Sequence, residues 1–253
     1  MRSYKTKGII IKRINVGEAD IIFLVFSKDF GKISLKARGV RKILAKLKGH
    51  LEMFSYSHLE IHKSRSSIDV ITGAETIRFF KNIRNNLSAT SRVYFLSEFL
   101  GRVLPEGEKQ EKIFDWFLYT LKEINKTKKR ERRAVLSIHF CLQTLKELGY
   151  YPHFRECIRC GNALEMGGNY FDLNGAGTVC PKCNVKKDYF SIMPISDRAV
   201  VGLRLLIENN KSKLDKIKMP LEILEEIYSI VERYVEIVAD DEIKSEKFVK
   251  KVD

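Results

Sequence analysis

Between residues 4 and 76 apolar and polar side chains tend to alternate with a period near two, the spacing of half-buried strands. Thr6 to Ile14 is rich in isoleucine, and Asp20 to Ser27 places Ile21, Phe23 and Val25 on alternate positions. Lys32 to Ala37 turns Ile33 and Leu35 the same way. Asn15 to Gly17 and Lys28 to Gly31 supply the residues that tight turns need. Tyr56 to Lys63, with Leu59 and Ile61, and Ile68 to Ala74, with Val70 and a break at Gly73, complete five short segments. Five strands in about 75 residues predict a small barrel, of either OB or SH3-like type, since periodicity does not separate the two.

From about residue 79 the spacing changes to three and four, the signature of amphipathic helices. Val93, Leu96, Leu100 and Val103 form one stripe that Pro105 and Gly107 end, and Ile113, Phe114, Phe117, Leu118 and Leu121 form a second. Val135, Ile138, Leu142, Leu145 and Leu148 form a third, with Gly149 placed as a C-terminal cap. A cysteine-bearing segment follows at about 150–190. Beyond it Ser196 is placed to cap a helix carrying Val200, Leu203 and Ile207, and Pro220 opens another carrying Ile223, Ile227, Ile230, Tyr234 and Ile237. The charged tail after Asp240 is expected to fray. The pattern is α+β: a barrel domain over 1–78, then a helical domain over 79–253 with the cysteine element inserted in it.

Composition narrows the class. Of 253 residues 44% are apolar and 31% charged, the balance of a folded chain. The strongest apolar run, Ile21 to Phe26, falls far short of the roughly 18 residues that cross a bilayer. The N-terminus MRSYKTKGIII has no secretory signature, so the expectation is a cytoplasmic protein with no membrane partner. Charge changes the picture more: 46 Lys and Arg against 32 Asp and Glu leave +14. An excess of that sign favours a polyanion, because neutralising phosphates releases condensed counterions.

Cys157 and Cys160, then Cys180 and Cys183, make two Cys-x2-Cys pairs separated by nineteen residues. Each pair lets one turn present two sulfurs, and two turns complete a tetrahedron of thiolates around one zinc ion. A disulfide pair, a redox Cys-x2-Cys motif and an iron-sulfur cluster are weaker readings. Nothing marks an oxidising compartment, neither pair opens a helix, and paired knuckles favour zinc. Four thiolates leave no position for water, so the site reads as structural. Arg155, Arg159, Lys182, Lys186 and Lys187 lie near enough in sequence to offset its formal charge. The odd cysteine, Cys141, falls in an apolar stripe and reads as core.

The densest basic tract without acidic residues is KARGVRKILAKLK, with Lys36, Arg38, Arg41, Lys42, Lys46 and Lys48. It leaves the third predicted strand, and its cations are candidates for phosphate contact, with Tyr4, Phe26, Phe30 and Tyr56 as candidate stacking platforms. A second cluster, Lys126 to Arg133, lies in a helix connector and is weaker. No histidine pairs with a carboxylate at ligand spacing, and no phosphate-binding loop or nucleophile elbow is present. The chain is therefore not read as an enzyme.

Taken in order, these parts resemble the RecO family of bacterial recombination mediators. The resemblance rests on GIIIKRINVGEADIIFLVFSKDFGKISLKARGVRK, on FLSEFLGRVLPEGEKQEKIFDWFLYTL, and on GYYPHFRECIRCG with GTVCPKC. It implies an N-terminal OB-fold and a helical domain carrying a zinc finger. It also implies a DNA repair function. Members bind single- and double-stranded DNA, anneal complementary strands, contact the C-terminal tail of single-strand-binding protein, and work with RecR to load recombinase at the nucleoid. Lys36, Arg38, Arg41 and Lys42 fall on the family's basic signature, while Lys46 and Lys48 follow from charge alone. The alternatives are a zinc-ribbon nucleic-acid-modifying enzyme with an unrecognised active site, and a basic protein-binding scaffold.

Overall fold

The computed structural model describes residues 3–41, 47, 49–64, 68–184, 191–240, 242–245 and 249. The chain divides into two compact units, Met1–Asn125 with Lys247–Val252, and Lys126–Glu246.

The first unit is built on a closed barrel of β1 (Ser3–Val16), β2 (Asp20–Ser27), β3 (Gly31–Ala37), β4 (Tyr56–His62) and β5 (Asp69–Arg78), in the order β1-β2-β3-β5-β4. This is the five-stranded OB barrel. β1 closes it by pairing along both edges, with β4 through Ser3–Ile9 and with β2 through Gly8–Val16, and its register shifts between Ile10 and Lys12. Gly8 lies where the two ladders overlap; a Cβ there would stand 2.5 Å from Val25 Cγ1. Ile10, Ile21, Phe23, Val25, Leu35, Leu59, Ile61 and Ile71 fill the interior.

Phe26 points outward from β2 yet is fully buried, because α3 (Glu111–Lys126) covers it. Its ring meets Phe114 at 5.3 Å and Phe117 at 6.3 Å between centroids. Each buried phenylalanine of this kind stabilises by about 1.5–3 kcal/mol. α1 (Lys81–Arg84) is tied to the end of α3 by Asn82, whose amide nitrogen and side chain donate to Asn125 at 3.0 Å each. α2 (Leu87–Val103) is capped by the Asn86 side chain, which accepts from the Ala89 amide, and its Tyr94 sets an edge against Phe54 at 4.8 Å.

The segment between α2 and α3 locks onto the β2–β3 turn. The Gly107 amide donates to the Lys32 carbonyl at 2.9 Å, and Lys32 Nζ donates to the Gly101 carbonyl at 2.9 Å. At Gly31 (φ +62°) a Cβ would stand 1.7 Å from the Glu108 carbonyl oxygen. Glycine is needed there twice over, for its dihedral and for its lack of a side chain.

In the second unit α4 (Arg130–Glu147) is buried at every residue from Arg133 to Leu145 and packs on α5 (Asp197–Glu208) and α6 (Leu221–Ala239). Gly149 (φ +87°) ends α4 as expected: its amide donates to the Lys146 carbonyl, and the Tyr150 amide reaches back to Leu145 at 2.8 Å. Ser196 caps α5 by accepting from the Ala199 amide at 3.2 Å.

α6 departs from the expected stripe. Leu224, Ile227, Ile230, Val231, Tyr234 and Val235 form its buried face, while Ile223 is half-buried and Ile237 is 42% exposed. A run so rich in apolar residues supports several stripes, and its packing partners select one. The expectation of fraying after Asp240 also fails in part, since Ile243 and Val249 are buried and the Ile243 amide donates to Glu236 at 3.3 Å.

Two stability predictions follow from these contacts. Gly31→Ala should destabilise the chain by more than about 2 kcal/mol in denaturant unfolding, because backbone stands in the way. Gly107→Ala (φ +78°), with open space at the Cβ, should cost only about 1–2 kcal/mol. The second prediction concerns His139, 1% exposed, whose Nε2 lies 3.0 Å from the Asn209 carbonyl oxygen. Burial pulls its pKa from 6.5 down to about 4, against the upward pull of that hydrogen bond. The unfolded imidazole therefore takes a proton at higher pH than the folded one. Its contribution to stability is complete above about 6.5 and is lost as pH falls toward 4, by at most about 3 kcal/mol. His139→Gln should flatten the unfolding free energy over that window; an unchanged pH profile would rule this origin out.

Candidate functional site

The cysteine element is a pair of knuckles on a small sheet. β6 (Tyr170–Asp172) pairs with β7 (Gly177–Val179) on one side and β8 (Ile192–Pro194) on the other. These short strands were not legible as a pattern, because three residues show no periodicity. In the first knuckle the Gly161 amide donates to the Cys157 carbonyl at 2.8 Å, and Gly161 sits at φ +73°. In the second, Pro181–Cys183 forms a 3-10 turn in which the Cys183 amide donates to the Cys180 carbonyl at 3.1 Å. The Ile158 amide joins the two by donating to the Thr178 carbonyl at 3.0 Å.

The four sulfurs of Cys157, Cys160, Cys180 and Cys183 lie within 4.8 Å of one another, with Cys160 and Cys180 4.0 Å apart. Four thiolates at about 2.3 Å from one metal would stand about 3.8 Å apart, so the cluster fits a tetrahedral ion. The electrostatics point the same way. Burial alone would raise the Cys157 thiol, but donation from the amides of Cys180, Cys160 and Arg159 outweighs it and brings the group to about 6. Hydrogen bonding with Cys160 and Cys180 pushes Cys183 up to about 12. Thiols so close cannot all ionise unless a cation sits among them.

Of the cations expected to offset this charge, Arg159 lies at the knuckles, donating to the Cys183 carbonyl at 2.8 Å and to Asp172 at 3.1 Å. Arg155 does not. It forks onto Glu208 at 2.7 and 3.1 Å, beside a cleft of about 580 Å³ lined by Tyr151, His153, Cys157 and Arg204. Lys182 stands 4.0 Å from Glu165, and Lys186 and Lys187 lie outside the described residues. Cys141 is buried in α4, and burial holds its thiol well above the ordinary range, in keeping with a core residue.

The basic tract is anchored at one end of the barrel. Lys36 faces outward from β3 opposite Ile22, and its ammonium meets Asp20 at 2.9 Å. The Asp20 carboxylate also accepts from the Gly39 amide at 2.8 Å; that bond, then Lys36, holds its pKa below the ordinary carboxylate value. Arg41 is tied to the β1–β2 turn twice, by its amide to the Ala19 carbonyl and by its guanidinium to the Gly17 carbonyl, both at 3.0 Å. Arg38 is exposed between them. Lys42, Lys46 and Lys48 lie outside the described residues.

Among the candidate platforms, Phe26 is covered by α3 and Tyr56 leans on Phe114 at 6.0 Å. Tyr4 donates its hydroxyl to Asp69 and meets the edge of Phe30, which is 38% exposed. In the connector cluster the arginines are engaged within the fold, Arg132 with the Leu214 carbonyl and Asp215, Arg130 with Glu225 at 3.3 Å and Arg133 with the Lys128 carbonyl, while Lys126, Lys128 and Lys129 are exposed. Sequence reading missed Arg13 and Asn15, which β1 brings to the Arg41 end of the barrel. The lysine and arginine that interrupt the isoleucine run at the register shift were the available signal.

Comparison with known proteins covers nearly the whole chain. The family models described as Recombination protein O N terminal and Recombination protein O C terminal match residues 1–80 and 84–247. Proteins named DNA repair protein RecO are among the relatives. One from Dehalococcoides mccartyi is 34% identical over 96% of this chain and 93% of its own. Another, from Acetivibrio thermocellus, is 28% identical over 100% and 98%. These names describe repair and recombination proteins rather than an enzyme activity.

The four-cysteine cluster yields a direct prediction. Cys160→Ser should strip most of the metal that elemental analysis finds in the purified chain and lower the unfolding midpoint by roughly 5 °C or more, with the barrel's strand signal retained. Full metal content and an unchanged midpoint would show that the four sulfurs do not hold an ion.

Proposed function

The chain belongs to the RecO family, and from that membership we propose that it is a DNA repair and recombination mediator. In this reading it binds single- and double-stranded DNA and anneals complementary strands. With RecR, and through the C-terminal tail of single-strand-binding protein, it promotes recombinase loading at the nucleoid. Residues 1–78 are its nucleic-acid-binding domain.

The observation that carries the reading is the cationic end of the barrel, where Lys36, Arg38 and Arg41 gather around the β1–β2 turn. Two of the three are held in place by Asp20 and the Gly17 carbonyl. Their orientation is set in advance, so less side-chain freedom is lost when a phosphate arrives. Lys42, Lys46 and Lys48 continue the same tract in sequence and extend the proposed contact.

Annealing then needs no covalent step. Two single strands repel through their phosphates, and a basic surface that holds both lowers that barrier and raises their local concentration. Base pairing supplies the driving force. The ion at the four cysteines is proposed to be a single structural Zn2+, which would hold the two knuckles together and do no chemistry on DNA, since four thiolates fill its shell.

The test is Lys36→Ala, Arg38→Ala and Arg41→Ala combined, read by strand-annealing rate and by the salt dependence of single-strand affinity. Each lost phosphate contact should lower the log–log salt slope by about 0.7, and three by about 2, with annealing slowed at least about tenfold. Arg38→Ala alone, at an exposed position, should give about a third of the slope change. Unaltered slope and rate in the combined variant would sink the assignment.

A further inference from the structure

The described residues leave a recess at the end of the barrel beside the basic tract. A pocket of about 240 Å³ enters there between β1, β2 and the segment that follows β3. Its wall is divided by chemistry. Ile21, Phe23, Val40 and Leu51 make an apolar floor, none more than 2% exposed, and Arg13, Asn15 and Arg41 make the rim.

The rim is partly pre-set. Arg13 has its guanidinium carbon 5.8 Å from the centre of the Phe23 ring and stands 3.9 Å from Glu52. Arg41 is fixed by the Gly17 carbonyl. A guanidinium carries five N–H groups, so each arginine keeps donors for a ligand. Asn15 adds both a donor and an acceptor at an exposed rim position.

A ligand that satisfies this wall has a small apolar body, an edge with both donors and acceptors, and an attached anion. A nucleotide unit has all three. Stacking on aromatic rings and guanidinium planes, with hydrogen bonds to the exposed base edge, is how unpaired bases are held. A peptide backbone would also offer Asn15 a donor and an acceptor; the continuity of Arg41 with Lys36 and Arg38 favours instead a strand carrying regularly spaced phosphates.

We propose that the barrel mouth takes one nucleotide of a bound single strand, its base against Asn15 and the Arg13 guanidinium that lies over Phe23, its phosphate at Arg41. This rests on the reading that the barrel binds single-stranded DNA, and it adds a base-holding subsite to a surface otherwise described by charge. Arg41 then belongs to both the phosphate tract and the mouth, so a strand following Lys36 and Arg38 passes the opening.

The full chain can be tested with two strands of about ten nucleotides, one made wholly of abasic residues and one with a single thymine at its centre. The wild-type protein should bind the one-base strand about tenfold more tightly. Asn15→Ala should abolish that preference while leaving affinity for the abasic strand and its salt slope intact. Arg13→Ala should reduce both. Equal binding of the two strands by the wild-type protein, or a preference that survives Asn15→Ala, overturns the subsite and leaves the DNA-binding reading standing. Failure to bind either strand at low salt overturns both. If Asn15→Ala weakens an acidic peptide but neither strand, the pocket is a peptide site and the proposal is wrong.

Discussion

The barrel depends on the length of β1, which pairs with β4 over its first part and with β2 over its second. β1 carries the ladders to β4 and to β2, and the overlap at Gly8 leaves no room for a side chain because Val25 occupies the space. Closure in this manner removes exposed strand edges and forces β1 to bend. The register shift between Ile10 and Lys12 absorbs the bend, and beyond it Arg13 and Asn15 stand at the mouth of the barrel. The same covalent segment thus closes the fold and supplies the polar rim.

Aromatic residues and cations follow different rules in this unit. Phe26 lies on the outer face of β2, where a stacking platform would be sought, yet Phe114 and Phe117 cover it. Burial of such rings stabilises the fold and removes them from solvent. Lys36 and Arg41 are instead engaged by local partners at half-exposed or exposed positions, where they remain at the surface. Ion pairing there contributes little stability; its effect is to limit the positions that two long side chains sample.

The four-cysteine element solves a different problem. Its three strands are three residues long, and such a sheet has little interior of its own. An ion held by the four sulfurs would cross-link the two knuckles and add to the few apolar contacts of so short a segment. The backbone prepares for this by turning amides toward the Cys157 sulfur, which favours its thiolate. In the proposed reading the two roles are separate in the chain: the four-cysteine element would maintain structure through an ion, and the charged barrel end is where DNA contact is proposed.

The sequence by itself determined the five strands, from alternation, isoleucine content and the turn residues between them, and most of the helices, because their stripes were bounded by Pro105, Gly149 and Ser196. It also determined the ligand set, since two Cys-x2-Cys turns carry their own geometry. The buried face of α6, the coverage of Phe26 and the engagement of Arg155 by Glu208 rather than by the knuckles were decided only by the tertiary structure. So was the meeting of Arg13 and Asn15 with Arg41. Periodicity states which side of an element is apolar, and a local motif states how neighbouring residues turn. Neither states what a distant element will place opposite, and burial, ion pairing and pockets are properties of that opposition.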